Sequence, residues 1–154
     1  MKICTFFGHR ECPGYIKPRL YQVLRRLIEK ENVDVFYVGN QGQFDSMAKC
    51  VLRELKSVYP RISYMVVLAY VPTTGNTAKE IDDTILPEGI EQIPPRYAIN
   101  WRNNWMLERA DYVVGYITSP CGGAAKFYQK AIQKGRTVVN LGEDKPANTS
   151  NESV

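Results

Sequence analysis

The chain has one histidine, His9, and its four cysteines (Cys4, Cys12, Cys50, Cys121) show no Cys-x-x-Cys spacing, so no ordinary zinc set can be drawn from it. Reduced thiols and no metal are therefore expected. Long apolar runs are missing too. The longest, from Tyr64 to Val71, is far shorter than the ~20 residues a membrane-spanning helix needs. The first apolar stretch is broken by His9 and Arg10 before it could form a signal-peptide core, which predicts a cytoplasmic protein with no membrane partner. Two phosphate motifs are absent as well. There is no Gly-x-x-x-x-Gly-Lys-Ser/Thr, and no Gly-x-Gly-x-x-Gly follows the first apolar run, which disfavours a Walker-type ATPase and the usual dinucleotide dehydrogenase.

What is present suits one globular domain. The 154 residues are 44% hydrophobic and carry 20 Lys+Arg against 16 Asp+Glu, a net charge of +4. A chain of this length can bury one real core without disulfide or metal staples. No basic run is longer than Arg25-Arg26, so the charge points only faintly to nucleic acid and suits an anionic small ligand equally well.

Short apolar runs alternate with helical periods. Strands are predicted over 2–8, 33–39, 62–71, 111–117 and 136–141, and helices over 17–31, 44–55, 96–110 and 123–134. Strands separated by helices of this length imply a Rossmann-like α/β three-layer sandwich around a mainly parallel sheet of about five strands. The domain is expected over 1–141, with a polar, fraying tail over 142–154. Between them, 72–95 is a proline-rich acidic excursion with one short helix, read as a lid or a subunit interface.

In such sheets ligands bind beyond the carboxyl ends of the strands. Three loops there are chemically loaded: Gly8-His9-Arg10, then Gly39 to Asp45, then Thr118 to Ala124. Glycines let the backbone approach a ligand, and helix N-termini offer N–H groups and a positive dipole end to phosphate. One such loop is most simply explained by turn geometry, but three together point to an anion site. Arg10 suits two-pronged phosphate binding. His9 suits phosphate or ribose, against the alternative of an ordinary loop histidine. Asp45 is either a first-turn acid favoured by the helix dipole or an acceptor for a ribose hydroxyl or adenine amine. Between 96 and 110, Arg96, Asn100 and Asn103 share a helix face, so the asparagines are candidates to face the pocket, with Arg102 a second phosphate candidate. Trp105 is expected in the core or an interface, while Trp101 could stack on a base. Cys121 has no basic partner placed beside it by sequence and is read as a structural thiol.

Five segments, in order, carry a family likeness: Cys4 to Arg10, Val38 to Asp45, Leu86 to Ile99, Trp101 to Val114, and Cys121 to Leu141. Together they resemble a short bacterial or phage member of the SLOG superfamily, near its YpsA-like group, over 1–141. The resemblance implies a Rossmann-like fold and a pocket for nucleotides or nucleotide-derived signals such as ADP-ribose, with the LOG phosphoribohydrolases and DprA as distant relatives. The LOG enzymes carry Pro-Gly-Gly-x-Gly-Thr-x-x-Glu. Aligned on Gly122 and Gly123, this chain has Cys121 for Pro, Ala125 for Gly, Lys126 for Thr and Gln129 for Glu. An amide cannot replace that carboxylate as base or charge stabiliser, so a non-catalytic role is favoured.

The reading from sequence is thus a nucleotide-binding protein that senses or sequesters an ADP-ribose- or NAD-like ligand, as a phage anti-defence sponge would, with no cofactor. Its ligand residues are Gly8, His9, Arg10, Gly39, Asn40, Gly42, Asp45, Asn100, Arg102, Asn103, Ser119, Gly122, Gly123 and Ala124. A homo-oligomer is expected and nucleic acid is not. Two alternatives stay open: a LOG-type N-glycoside hydrolase using Asp45 or Glu108, and a DprA-like single-stranded DNA binder, for which the net charge speaks.

Overall fold

The computed structural model describes residues 1–71 and 82–143. A parallel sheet of six strands runs in the order β4-β3-β2-β1-β5-β6. Its strands are β1 Ile3–Gly8, β2 Val35–Val38, β3 Ser63–Val67, β4 Thr84–Ile85, β5 Tyr112–Tyr116 and β6 Thr137–Asn140. The helices are α1 Lys17–Lys30, α2 Gly42–Val58, α3 Pro95–Arg109 and α4 Gly123–Gln133. The chain steps outward from β1 through β2 to β4, then returns to the other side of β1 for β5 and β6. Strand order therefore reverses between β1 and β5, the point at which such sheets open a ligand crevice.

The three layers follow from alternation along β1. Successive strand side chains point to opposite faces. Phe6 joins the core under α1 and α2 with Phe36, Phe44, Leu24 and Leu52. Its neighbour Phe7 joins the core under α3 and α4 with Val113, Met106, Leu107 and Phe127. In α1 the buried residues Leu20, Val23, Leu24, Leu27 and Ile28 recur at three- and four-residue steps, and Pro18 is tolerated because the first turn needs no N–H donor there. Each fully buried Phe or Leu stabilises the fold by about 1.5–3 kcal/mol.

The sheet differs from the expectation in two places. It has six strands because Thr84 and Ile85, inside the stretch read as an excursion, pair with Val66 and Val67. A two-residue strand has too little pattern to be seen in sequence. The third strand also ends at Val67, not Val71, because β2 stops opposite Val66 and offers no partner further on. Within 72–95, residues 72–81 lie outside the described residues. The rest is fastened to the sheet edge rather than laid over a cleft. Asp82 pairs with Arg53 of α2 at 2.6 Å and accepts a hydrogen bond from the Tyr64 hydroxyl at 2.6 Å, and a 3-10 turn follows at Ile90–Gln92. Most of the expected tail, residues 144–154, likewise lies outside the described residues. Among the described residues no helix is long and apolar enough to cross a membrane. The four cysteines are free thiols; Cys121 is exposed, so it is not packed in the core.

Gly8 is dictated by packing. A Cβ there would sit 2.1 Å from Phe44 Cδ2, and Phe44 is fully buried. Gly8→Ala is expected to lower stability in urea titrations by about 1–3 kcal/mol, the usual cost of overpacking a filled core. An unchanged midpoint would show that the aromatic ring can retreat.

Candidate functional site

Where β1 ends, its ladder with β5 closes at Gly8 opposite Tyr116, and the His9 amide adds one more bond to the Tyr116 carbonyl at 3.1 Å. The His9 ring meets Tyr116 edge-on, and its Nε2 accepts a hydrogen bond from the Ser119 amide at 3.2 Å. One side chain thus couples the loops after β1 and β5. The loop after β1 is also sewn to α2. The Gln43 amide donates to the Arg10 carbonyl at 2.7 Å, and Gln43 Oε1 accepts from the Cys12 amide at 2.8 Å. Gly42 has φ +86°, and a Cβ on it would lie 2.7 Å from Arg10 Cα. Only glycine meets both conditions. Arg10 itself is exposed at the cleft rim.

Beneath the rim lies a buried pair of opposite charges. Asp45, 8% exposed, reaches back to accept a hydrogen bond from the Gln41 amide at 2.9 Å, as the acid of a capping box does. Arg102 of α3 is 2% exposed. Its Nη1 donates to the Val67 carbonyl at 2.9 Å and its Nε to Asn103 Oδ1 at 2.9 Å. Gly39 leaves the gap between them, since a Cβ there would lie 2.8 Å from Asp45 Oδ2 and 3.2 Å from Arg102 Cζ. Burial pushes the Asp45 carboxyl up to about 6, against the pull of the Gln41 amide and the Arg102 charge. Burial likewise lowers the Arg102 guanidinium from its usual range, opposed by Asp45.

The third wall is the start of α4. Gly122 caps it with φ +102°, a backbone that only glycine adopts readily. The first turn carries no acidic residue and no side-chain cap, and nothing lies within 4 Å of where a Cβ would stand on Gly122 or Gly123. The first amides of a helix have no intrahelical acceptor and sit at its positive end. Gly122, Gly123 and Ala124 line the cleft.

The three walls enclose a cleft of about 350 Å³, within the ~300–1,000 Å³ of small-molecule sites. Of the residues expected at the site, the structure brings Gly8, His9, Arg10 and Asp45 to the cleft from β1 and α2. Asn100, Arg102 and Asn103 reach it from α3, and Gly122, Gly123 and Ala124 from α4. Four do not line it. Asn40 accepts from Lys49 Nζ at 2.8 Å on the surface. Gly39 and Gly42 make room for neighbours, as above. Ser119 orders the turn, its Oγ accepting from the Cys121 amide at 3.2 Å.

Arg102 departs most from the reading as a phosphate grip. Its Nη1 and Nε donors are spent on Val67 and Asn103 and its charge faces Asp45, so it stands at the floor of the cleft. The buried stripe of α3 is Ala98, Arg102, Met106 at four-residue steps, with an arginine where an apolar residue would be expected. Trp101 packs on the small cluster of Ala69, Ile90 and Ala98, not in the cleft. Trp105 is half-buried, between Tyr37 and the Arg109 guanidinium. Sequence reasoning missed Gln41, Ile99 and Met106 at the cleft. Ile99 and Met106 could have been found by stepping four before and three after Asn103 on one helix face. Gln41 stands between Asn40 and Gly42 and carries no signal of its own. Among the described residues Asp45 is the one carboxylate at the cleft; Gln129 and Glu108 are exposed elsewhere.

No family model matches the chain, and no curated protein matches it. Solved structures do. DNA processing protein A (DprA) from Streptococcus pneumoniae superposes with a TM-score of 0.65 at 15% identity, over 91% of this chain and 50% of that one. DprA from Helicobacter pylori, a structure described by its single-stranded DNA binding mode, gives 0.55 at 16% identity, over 90% of this chain and 64% of that one. The chain thus spans between half and two thirds of these proteins, and its fold is a DprA-like α/β fold. The second likeness overturns the expectation that nucleic acid is no partner, since a protein of this fold binds single-stranded DNA. The error came from reading the charge as evenly spread along the chain.

Because the Asp45 carboxyl is raised, the folded state holds its proton more tightly than the unfolded chain. Its contribution to stability therefore falls as pH rises from about 4 to about 6. A carboxyl-carbon NMR titration should show a midpoint near 6. The stability of Asp45→Asn should fall less over that interval than the parent's. A midpoint in the ordinary carboxylate range would mean that water reaches this floor.

Proposed function

We propose that this chain binds single-stranded DNA and seats one nucleotide of the strand in the cleft at the β1/β5 switch point. The observation that carries the reading is the convergence of the uncapped α4 N-terminus and the Gly8-His9-Arg10 loop on one cleft. A phosphate there accepts hydrogen bonds from the α4 amides and is stabilised by the helix dipole, while Arg10 neutralises it from the opposite rim. Asn103 spends its oxygen on Arg102, so its amide N–H groups are the donors it turns to a base edge or sugar. The likeness to a single-stranded DNA binder of the same fold supports the same reading.

One observation favours a second reading. The cleft is bounded on three sides and has the volume of a small-ligand site, which suits a free nucleotide-derived molecule, ADP-ribose- or NAD-like, held by the same contacts. That reading goes with a domain over 1–141 of the YpsA-like type and with capture of the ligand unchanged. A LOG-type hydrolysis has no support, because Gln129 is exposed on α4 away from the cleft and Asp45 is occupied by the Gln41 amide.

Fluorescence anisotropy with a labelled thymidine oligomer of about 15 nucleotides tests the proposal. The parent is expected to bind, with affinity falling steeply as salt rises. Arg10→Ala should weaken binding at least about tenfold, the loss of one charge-assisted phosphate contact, without lowering the melting temperature. Absence of oligomer binding, together with a thermal shift by ADP-ribose or AMP, would replace this reading with the second.

A further inference from the structure

The distribution of charge along the chain singles out α4. From Tyr112 to Gly142 the sequence has four basic residues, Lys126, Lys130, Lys134 and Arg136, and no acidic one. Elsewhere it carries 16 of each sign, so this segment accounts for the whole net charge of +4. Three of the four lie on α4 or at its C-cap.

Lys126, Lys130 and Lys134 follow each other at four-residue steps, which forms a ridge inclined along the helix and spans about 12 Å of its axis. Lys126 and Lys130 lie against the buried Phe127 ring, with their ammonium nitrogens 5.8 and 5.1 Å from its centroid, a cation–π contact that keeps both charges on this face of the helix. Lys130 also donates to Asn104 of α3 at 3.2 Å, so the ridge borders the α3–α4 seam. The facing end of α3 contributes Glu108 and Arg109, one charge of each sign; Arg136 turns toward the Glu108 carbonyl at 3.5 Å.

The placement of Lys126 runs against local helix physics. A first turn favours acids, and this one has none, with a cation on the turn's edge instead. The same helix begins at the cleft with Gly123 and Ala124. Helix stability does not account for a positive ridge that starts at the proposed phosphate seat.

We propose that the Lys126–Lys130–Lys134 ridge is a backbone track for single-stranded DNA, which takes the phosphates that follow the one seated in the cleft. The inference rests on the DNA-binding reading above. It adds direction: the strand leaves the cleft along α4 and not along α1 or α2, where Lys17, Arg25 and Arg53 are paired with Glu54, Glu29 and Asp82.

The triple variant Lys126→Gln, Lys130→Gln, Lys134→Gln tests it beside Arg10→Ala, with the thymidine oligomer and thymidine monophosphate as probes. The expected result for the triple variant is a weakened oligomer complex whose slope of log affinity against log salt is shallower by about 2, three lost contacts at ~0.7 each. Its monophosphate affinity should be unchanged, and the matching triple Lys→Arg variant should restore the slope. If the triple variant keeps the parent slope while Arg10→Ala loses the oligomer, the track is wrong and the cleft reading stands. If the parent binds no oligomer, both fall.

Discussion

A buried guanidinium organises the carboxyl end of this sheet. Arg102 binds the last carbonyl of β3, holds the side chain of its neighbour Asn103, and faces Asp45 at the start of α2 across the space that Gly39 leaves open. Helix α3, strand β3 and helix α2 therefore meet on one charge. Removing either group leaves the other buried without the opposite charge it faces, which is destabilising. The cleft above is open because its floor is fixed from below, leaving Arg10 and the α4 amides free to face outward. A nearly balanced pair beneath an electropositive rim is a sensible division. The floor contributes little net field, and the rim and α4 set the sign that a ligand meets.

The same division explains how much could be read without coordinates. The Rossmann-like layering was legible because β1 and β5 are continuous apolar runs and α1 repeats leucines at helical spacing. The three loops were legible because glycine at a strand-to-helix turn next to His9, Arg10 or an uncapped helix is a local pattern. The role of Arg102 was not, since beside Asn100 and Asn103 it reads as a phosphate grip and not as part of a buried floor. Its burial depends on Val67 and Asp45, far away in sequence. Gly39 and Gly42 looked like ligand loops, but the first makes room for the buried pair and the second for Arg10. Strand β4 was hidden in a proline-rich stretch because two residues show no alternation.

Charge was read least well. As a list, 20 basic residues look scattered and give no basic run. Folding sorts them: on α1 and α2 several basic side chains meet acids on the surface, while α4 has none to meet. A net charge of +4 is modest for the whole molecule, and three of those charges lie on one helix or its C-cap, beside the cleft.

The central claim is that the first turn of α4 receives a phosphate of the bound strand. Backbone amide NMR during titration with a thymidine oligomer tests it most directly. The account predicts that the largest shifts fall on Gly122, Gly123 and Ala124 at the start of α4, joined by the amides of His9 and Arg10. Shifts confined to another face of the molecule, with these five amides unmoved at saturation, would contradict it.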